Sequence, residues 1–136
     1  MIVTSGTRAL VTGWLDVMKM PYPSLMVTAE DVSAGKPDPQ CYLLGRDRLQ
    51  LKGKEGKEGK EGEKGRCVVF EDAPAGVRAG KAAGFVVVGL ATTHKVEQIR
   101  EAGADWIVRD MRSVTVEGFE KGNGVLRLRI ADALVV

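Results

Sequence analysis

The chain has 136 residues with 20 Lys and Arg against 18 Asp and Glu, and its net charge of +2 gives no electrostatic reason to expect nucleic acid or an anionic membrane as partner. A hydrophobic content of 44% suffices for one domain with a modest core; with no apolar run of 18 residues no transmembrane span is expected, and with no basic-then-apolar stretch before the first motif no signal peptide is expected. Two cysteines, Cys41 and Cys67, are too few for a disulfide framework; they fit a reducing compartment and read as small half-buried apolar residues.

Met1-Ile2-Val3 is a short apolar run that leads through Thr4-Ser5-Gly6-Thr7 into a helical pattern at Ala9, Leu10, Val11, Trp14, Leu15 and Met18. Thr4, Ser5 and Thr7 are helix-start residues, and a helix N-terminus with hydroxyl donors suits an anion; ordinary capping is the commoner role for such residues. The core-like strand begins at residue 1 with no lead-in, where chain ends usually fray.

Pro21, Pro23 and Ser24 mark a turn, and Leu25-Met26-Val27 reads as a second strand. Residues 28–39 form a loop that holds Lys36 between Gly35 and Pro37. A lysine so restricted can serve as a fixed charge for a phosphate, although a solvated surface role is commoner. Pro39 opens a helix to about Leu49, with Tyr42, Leu43, Leu44 and Leu49 as its apolar members.

Residues 52–65 contain five Lys, four Glu and five Gly, with Gly-Lys-Glu three times in succession, and read as a disordered, charge-balanced loop. Arg66 to Phe70 is a third strand. It runs into Glu71-Asp72, then into Ala73-Pro74-Ala75-Gly76 and a helix that closes near Gly84. Adjacent carboxylates at a strand end repel unless something positive sits between them, and Mg²⁺ suits oxygen donors of this kind. The plainer reading is an acidic turn with Asp72 as N-cap. Phe85 to Leu90 is a fourth strand, Thr92 to Ala102 a helix closed by Gly103, and Trp106-Ile107-Val108 a fifth strand. His94, the only histidine, reads as a polar surface residue at a helix start. Val114-Val116 and Val125–Ile130 form a hairpin around Lys121-Gly122-Asn123-Gly124. Strands alternating with helices argue for a mostly parallel α/β sheet.

Together these motifs resemble the haloacid-dehalogenase-like hydrolases, and among them the phosphatases of glycerol phosphate and 2-deoxyglucose 6-phosphate. Val3-Thr4-Ser5-Gly6-Thr7 is similar to the second family motif, Gly35-Lys36-Pro37-Asp38-Pro39 to the third and Phe70-Glu71-Asp72-Ala73-Pro74-Ala75-Gly76 to the fourth. Gly80-Lys81-Ala82-Ala83-Gly84 and Gly89-Leu90-Ala91-Thr92-Thr93 also match the subgroup. The resemblance implies that Thr4, Ser5 and Lys36 hold the substrate phosphate, that Lys36 also neutralises the nucleophile's carboxylate, and that Glu71 and Asp72 hold Mg²⁺. It implies a cytoplasmic, Mg²⁺-dependent phosphomonoesterase acting on small sugar or polyol phosphates.

The family's first motif, Asp-x-Asp after a strand, supplies the nucleophile and the general acid and base. Nothing upstream of Thr4 provides it, and Asp16, Asp31 and Asp38 do not sit in such a motif. Residues 1–136 are therefore expected to form one partial Rossmann-like core domain: a parallel sheet flanked by helices, with the central first-motif strand and the cap missing and a C-terminal hairpin. The expectation for the isolated chain is inactivity. The alternative is a non-catalytic remnant or truncated gene product that binds phosphate or a protein partner. A missing central strand also leaves unpaired flanks beside Ile2-Val3 and Val68 to Phe70, which predicts marginal stability and self-association through strand edges.

Overall fold

The computed structural model describes residues 1–49, 67–120 and 125–135. The charged repeat at 52–65 and the hairpin turn at 121–124 lie outside them. Elements alternate as expected: β1 (Ile2–Val3), α1 (Arg8–Val17), β2 (Met26–Val27), α2 (Gln40–Arg48), β3 (Val68–Glu71), α3 (Pro74–Ala82), β4 (Val86–Leu90), α4 (Val96–Glu101) and β5 (Trp106–Val108), then the hairpin β6 (Val114–Glu120) and β7 (Val125–Ile130).

The parallel strands fall into two groups. β1 pairs with β2, while β3, β4 and β5 pair in that order; among the described residues no hydrogen-bonded ladder joins β1 to β3. The discontinuity falls beside Ile2-Val3, as the sequence predicts. Side chains, not backbone, bridge it. One core cluster takes Val27 from β2 and Cys41 and Tyr42 from α2, and continues through Val69, Val77, Val87, Ile99 and Ile107 of the three-stranded group. Helix α2 is thus the brace between the two groups.

Local chemistry explains the helix limits. Thr7 caps α1 by accepting the Leu10 N–H at 3.3 Å. Helix α3 starts one residue later than the acidic-cap reading requires: Ala73 is its N-cap and Pro74 occupies the first turn, where a missing N–H is harmless. Helix α4 is shorter than expected because Thr93 and His94 bond to Asp72 instead of opening the helix. The first hairpin strand runs to Glu120, beyond the expected Val116, with an irregularity between Val116 and Gly118.

A 3-10 turn at Ala29–Asp31 follows β2. The Asp31 carboxylate accepts from the Thr28 N–H at 2.8 Å, the Thr28 hydroxyl at 2.9 Å, Arg48 of α2 at 2.7 Å and Arg8 of α1 at 3.1 Å. The Arg48 guanidinium first, then the Thr28 donors, holds this carboxyl well below the usual carboxylate range. A depressed carboxyl contributes stability that is present above its unfolded value, about 4, and is lost as pH falls towards the folded value. Asp31→Asn is expected to lower the melting temperature at neutral pH and to flatten the loss of stability below about pH 4. Thermal melts across that range check it, and an acid limb identical to the parent's rules it out.

Candidate active site

Strand alternation sets the geometry. Successive side chains point to opposite faces, so Glu71, as the last residue of β3, follows Val69 onto the buried face and Asp72 does not. The two carboxylates that are adjacent in sequence therefore have different partners.

Glu71 is buried, 7% exposed, and its Oε1 accepts from both the Lys36 ammonium and the Tyr42 hydroxyl. Lys36 reaches across the discontinuity between the strand groups: its Nζ also lies 3.4 Å from the Val3 carbonyl at the end of β1, and 5.0 Å above the centre of the Tyr42 ring. Glu71 neutralises the ammonium, and the ring face adds a cation–π contact. Burial, and then the bond to the Glu71 carboxylate, push the Tyr42 hydroxyl far above its ordinary value, so it donates as a neutral phenol. Gly76 leaves room for the carboxyl group: a Cβ there would overlap the Glu71 carboxyl carbon and both oxygens.

On the β1 side, Thr4, Ser5 and Lys36 line one pocket of about 280 Å³ with Ala29, Val32 and Ser33. The Thr4 hydroxyl oxygen accepts the Gly6 N–H at 3.0 Å, which leaves its own proton to be donated to a bound anion. The Thr4 N–H bonds to the Val27 carbonyl at 2.9 Å and the Gly6 carbonyl accepts from Ala29 at 3.1 Å, so the loop is fixed from β2. Cys41 also lines the pocket, but burial raises its thiol above the ordinary value despite the opposing charge of Lys36, which disfavours a thiolate nucleophile there.

Asp72 turns to the loop after β4. Its Oδ2 accepts from the Thr93 hydroxyl at 2.7 Å, and its carbonyl faces the His94 Nδ1 at 3.0 Å. A carbonyl oxygen can only accept, so Nδ1 carries the proton in this contact. The parallel register, which sets Glu71 beside Gly89, brings this loop next to Asp72.

Glu71 and Asp72 have the hard oxygen donors that Mg²⁺ takes, but among the described residues no group of three or more His, Cys, Asp or Glu side chains is placed to hold a metal. By themselves the described residues do not complete a metal cage, and Glu71 already balances Lys36. Of the residues singled out in the sequence, the structure brings Thr4, Ser5 and Lys36 to one pocket and joins Lys36 to Glu71, while Asp72 pairs elsewhere. The sequence pattern places Tyr42 on the apolar side of α2 and His94 on the surface, and gives Thr93 no partner. The order β3-β4 of a parallel sheet would have been the signal for Thr93 and His94.

The haloacid dehalogenase-like hydrolase family matches residues 1–84. Glycerol-1-phosphate phosphohydrolase 1 of Saccharomyces cerevisiae is 41% identical over 133 residues, which cover 98% of this chain and 52% of that protein. The 2-deoxyglucose-6-phosphate phosphatase 2 of the same yeast is 39% identical, over 85% of this chain and 46% of that one. Among solved structures, a hydrolase from Pseudomonas syringae superimposes with a TM-score of 0.64 at 27% identity, over 79% of this chain and 46% of that one. The chain spans about half the length of the curated relatives it matches. With its α/β architecture and with the matched segment reaching from the Thr4-Ser5 loop through Lys36 to Glu71 and Asp72, the chain belongs to the haloacid dehalogenase-like hydrolases.

Proposed function

We propose that this chain carries the phosphate-facing half of a phosphomonoesterase site for small sugar or polyol phosphates. The convergence of Thr4, Ser5 and Lys36 on one pocket carries this reading. The relatives named for glycerol 1-phosphate and 2-deoxyglucose 6-phosphate support the substrate class.

On this reading the Thr4 hydroxyl donates to a phosphate oxygen in the pocket it shares with Ser5 and Lys36, while the first N–H of α1 is already bonded to the Glu30 carboxylate. The Lys36 ammonium compensates negative charge, and Glu71 and Tyr42 hold Lys36 at the seam between the strand groups. Thr93 and His94 orient Asp72 by its carboxylate and its carbonyl. Positioning and charge compensation of this kind are the larger part of phosphoryl-transfer catalysis. Mg²⁺, when bound, would screen the phosphate charge. Glu71, held by Lys36 and Tyr42, and Asp72, bonded to Thr93, face different partners and among the described residues make no site for it by themselves, and a cytoplasmic setting accords with the family reading.

The 136 residues contain no Asp-x-Asp sequence. The covalent route needs a positioned carboxylate nucleophile, and without it the remaining groups can bind but not turn over. The isolated chain is therefore expected to show no hydrolysis of p-nitrophenyl phosphate or small sugar phosphates above background with Mg²⁺ present. Inorganic phosphate should still shift the backbone amide resonances of Thr4, Ser5 and Lys36. Mg²⁺-dependent turnover that is lost in Asp16→Asn, Asp31→Asn or Asp38→Asn would reverse the first expectation, and phosphate shifts confined to other residues would remove the site.

A further inference from the structure

The loop from Thr28 to Pro39, which carries Lys36, is pinned at both ends. At its start the Ala29 N–H donates to the Gly6 carbonyl at 3.1 Å, and the Thr28 N–H and hydroxyl donate to Asp31. At its end the Asp38 N–H donates to the Gly35 carbonyl at 3.0 Å, and the Asp38 Oδ1 accepts the Gln40 N–H at 2.8 Å. Between these anchors three donors meet one atom. The Oε1 of Gln40, the first residue of α2, accepts the Ser33 N–H at 3.0 Å, the Ser33 hydroxyl at 3.2 Å and the Ala34 N–H at 2.9 Å. Lys36 follows two residues later.

Gln40 stands on the same helix as Tyr42, whose ring centre lies 5.0 Å from the Lys36 ammonium. Helix α2 thus holds the lysine at two points, through the loop that precedes it and through the ring that its head rests on. Ser33 and Lys36 line the pocket of about 280 Å³ together with Thr4 and Ser5, and Ser33 also lines, with Gln40, a wider cavity of about 540 Å³. The bonds of Gln40 therefore fix a stretch of pocket wall. Backbone left unbonded there would have many conformations open to it, and ordering them on binding would weaken the hold on a ligand. The amide of a glutamine accepts without a charge, so the clamp adds no repulsion beside a pocket suited to an anion.

We propose that Gln40 is a positioning residue for the phosphate pocket: it ties the Ser33-Ala34 segment to α2 and so sets where Lys36 enters the pocket. The ligand rests on the phosphate reading above, whereas the clamp is a property of the loop and is testable without one. The competing account is that the ion pair with Glu71 alone places Lys36, whatever the loop does.

The test uses the full chain and three variants. Gln40→Leu keeps the bulk and removes the acceptor, Gln40→Ala removes it without adding bulk should leucine not fit, and Gln40→Glu keeps an acceptor in place. In the leucine and alanine variants, amide hydrogen exchange at Ser33 and Ala34 is expected to speed up by about tenfold or more, and the Lys36 ε-methylene resonances to lose the upfield ring-current shift that Tyr42 gives them. Gln40→Glu should keep both signatures. Inorganic phosphate, followed by the amide resonances of Thr4, Ser5 and Lys36, should bind the leucine and alanine variants about fivefold more weakly than the parent, or worse. Exchange and ring-current shift that stay unchanged in both of those variants overturn the clamp and leave Lys36 to its ion pair. So does a Gln40→Glu variant that behaves like the leucine one, and so does parent-like phosphate affinity where both signatures are lost. A parent whose three resonances ignore phosphate overturns the phosphate reading instead, and the clamp then stands or falls by the exchange and ring-current signatures.

Discussion

Glu71→Gln is expected to destabilise the protein by about 3–5 kcal/mol, the cost of removing one partner from a buried ion pair. The side chains of Glu71 and Lys36 are 8% and 11% exposed, so water cannot substitute freely for the lost charge. What remains around the ammonium is the Val3 carbonyl at 3.4 Å and the Tyr42 ring, neither of which carries a full negative charge. Against a total of about 5–15 kcal/mol for a domain, the loss is a large fraction, and among the described residues no ladder joins the two strand groups to share it. The pair itself is a different matter. Replacing both ions with apolar groups of similar volume is often neutral, so Glu71→Leu with Lys36→Met should recover much of the loss, less the roughly 1–3 kcal/mol for the stranded Tyr42 hydroxyl. Urea denaturation of the three variants measures this. A Glu71→Gln midpoint indistinguishable from the parent's would show that the ammonium has solvent access the structure does not give it.

That pair also marks the limit of what the sequence discloses. The order of elements is legible because each rests on local chemistry: apolar runs of strand length, Gly84 and Gly103 with φ of +79° and +96° at helix ends, and proline at the start of α2. The break beside β1 is legible too, from the motif that the resemblance expects and the chain does not supply. The fate of Glu71-Asp72 is not. Whether adjacent carboxylates share a ligand or part company depends on which of them is the last residue of the strand, and boundaries are settled by one hydrogen bond more or less. The strand ends at Glu71, so Glu71 turns in to Lys36 and Asp72 goes to Thr93. Tyr42 was hidden for another reason. It counts as apolar in a helical pattern, and its hydroxyl gains a role only when the lysine loop and β3 meet across the core.

Gly76→Ala should be harmful where helix propensity says it should help. Gly76 is the third residue of α3, and alanine in a helix is better than glycine by about 1 kcal/mol. Here the added Cβ would overlap the Glu71 carboxyl group, which cannot simply swing aside because Lys36 and Tyr42 hold the same oxygen. Displacing the carboxylate forfeits about what Glu71→Gln forfeits, so the net effect is a loss of about 2–4 kcal/mol. The sign of this effect inverts once the Glu71 side chain is gone. In a Glu71→Ala background the obstruction is gone, and the same Gly76→Ala change should stabilise by up to about 1 kcal/mol. The pair of substitutions is thus strongly non-additive, with a coupling of several kcal/mol. Urea melts of the four proteins give the coupling directly. If Gly76→Ala stabilises the parent as well, or if its effect is the same with and without the Glu71 side chain, the carboxylate does not lie over this turn and the arrangement of Lys36, Tyr42 and Glu71 must be different.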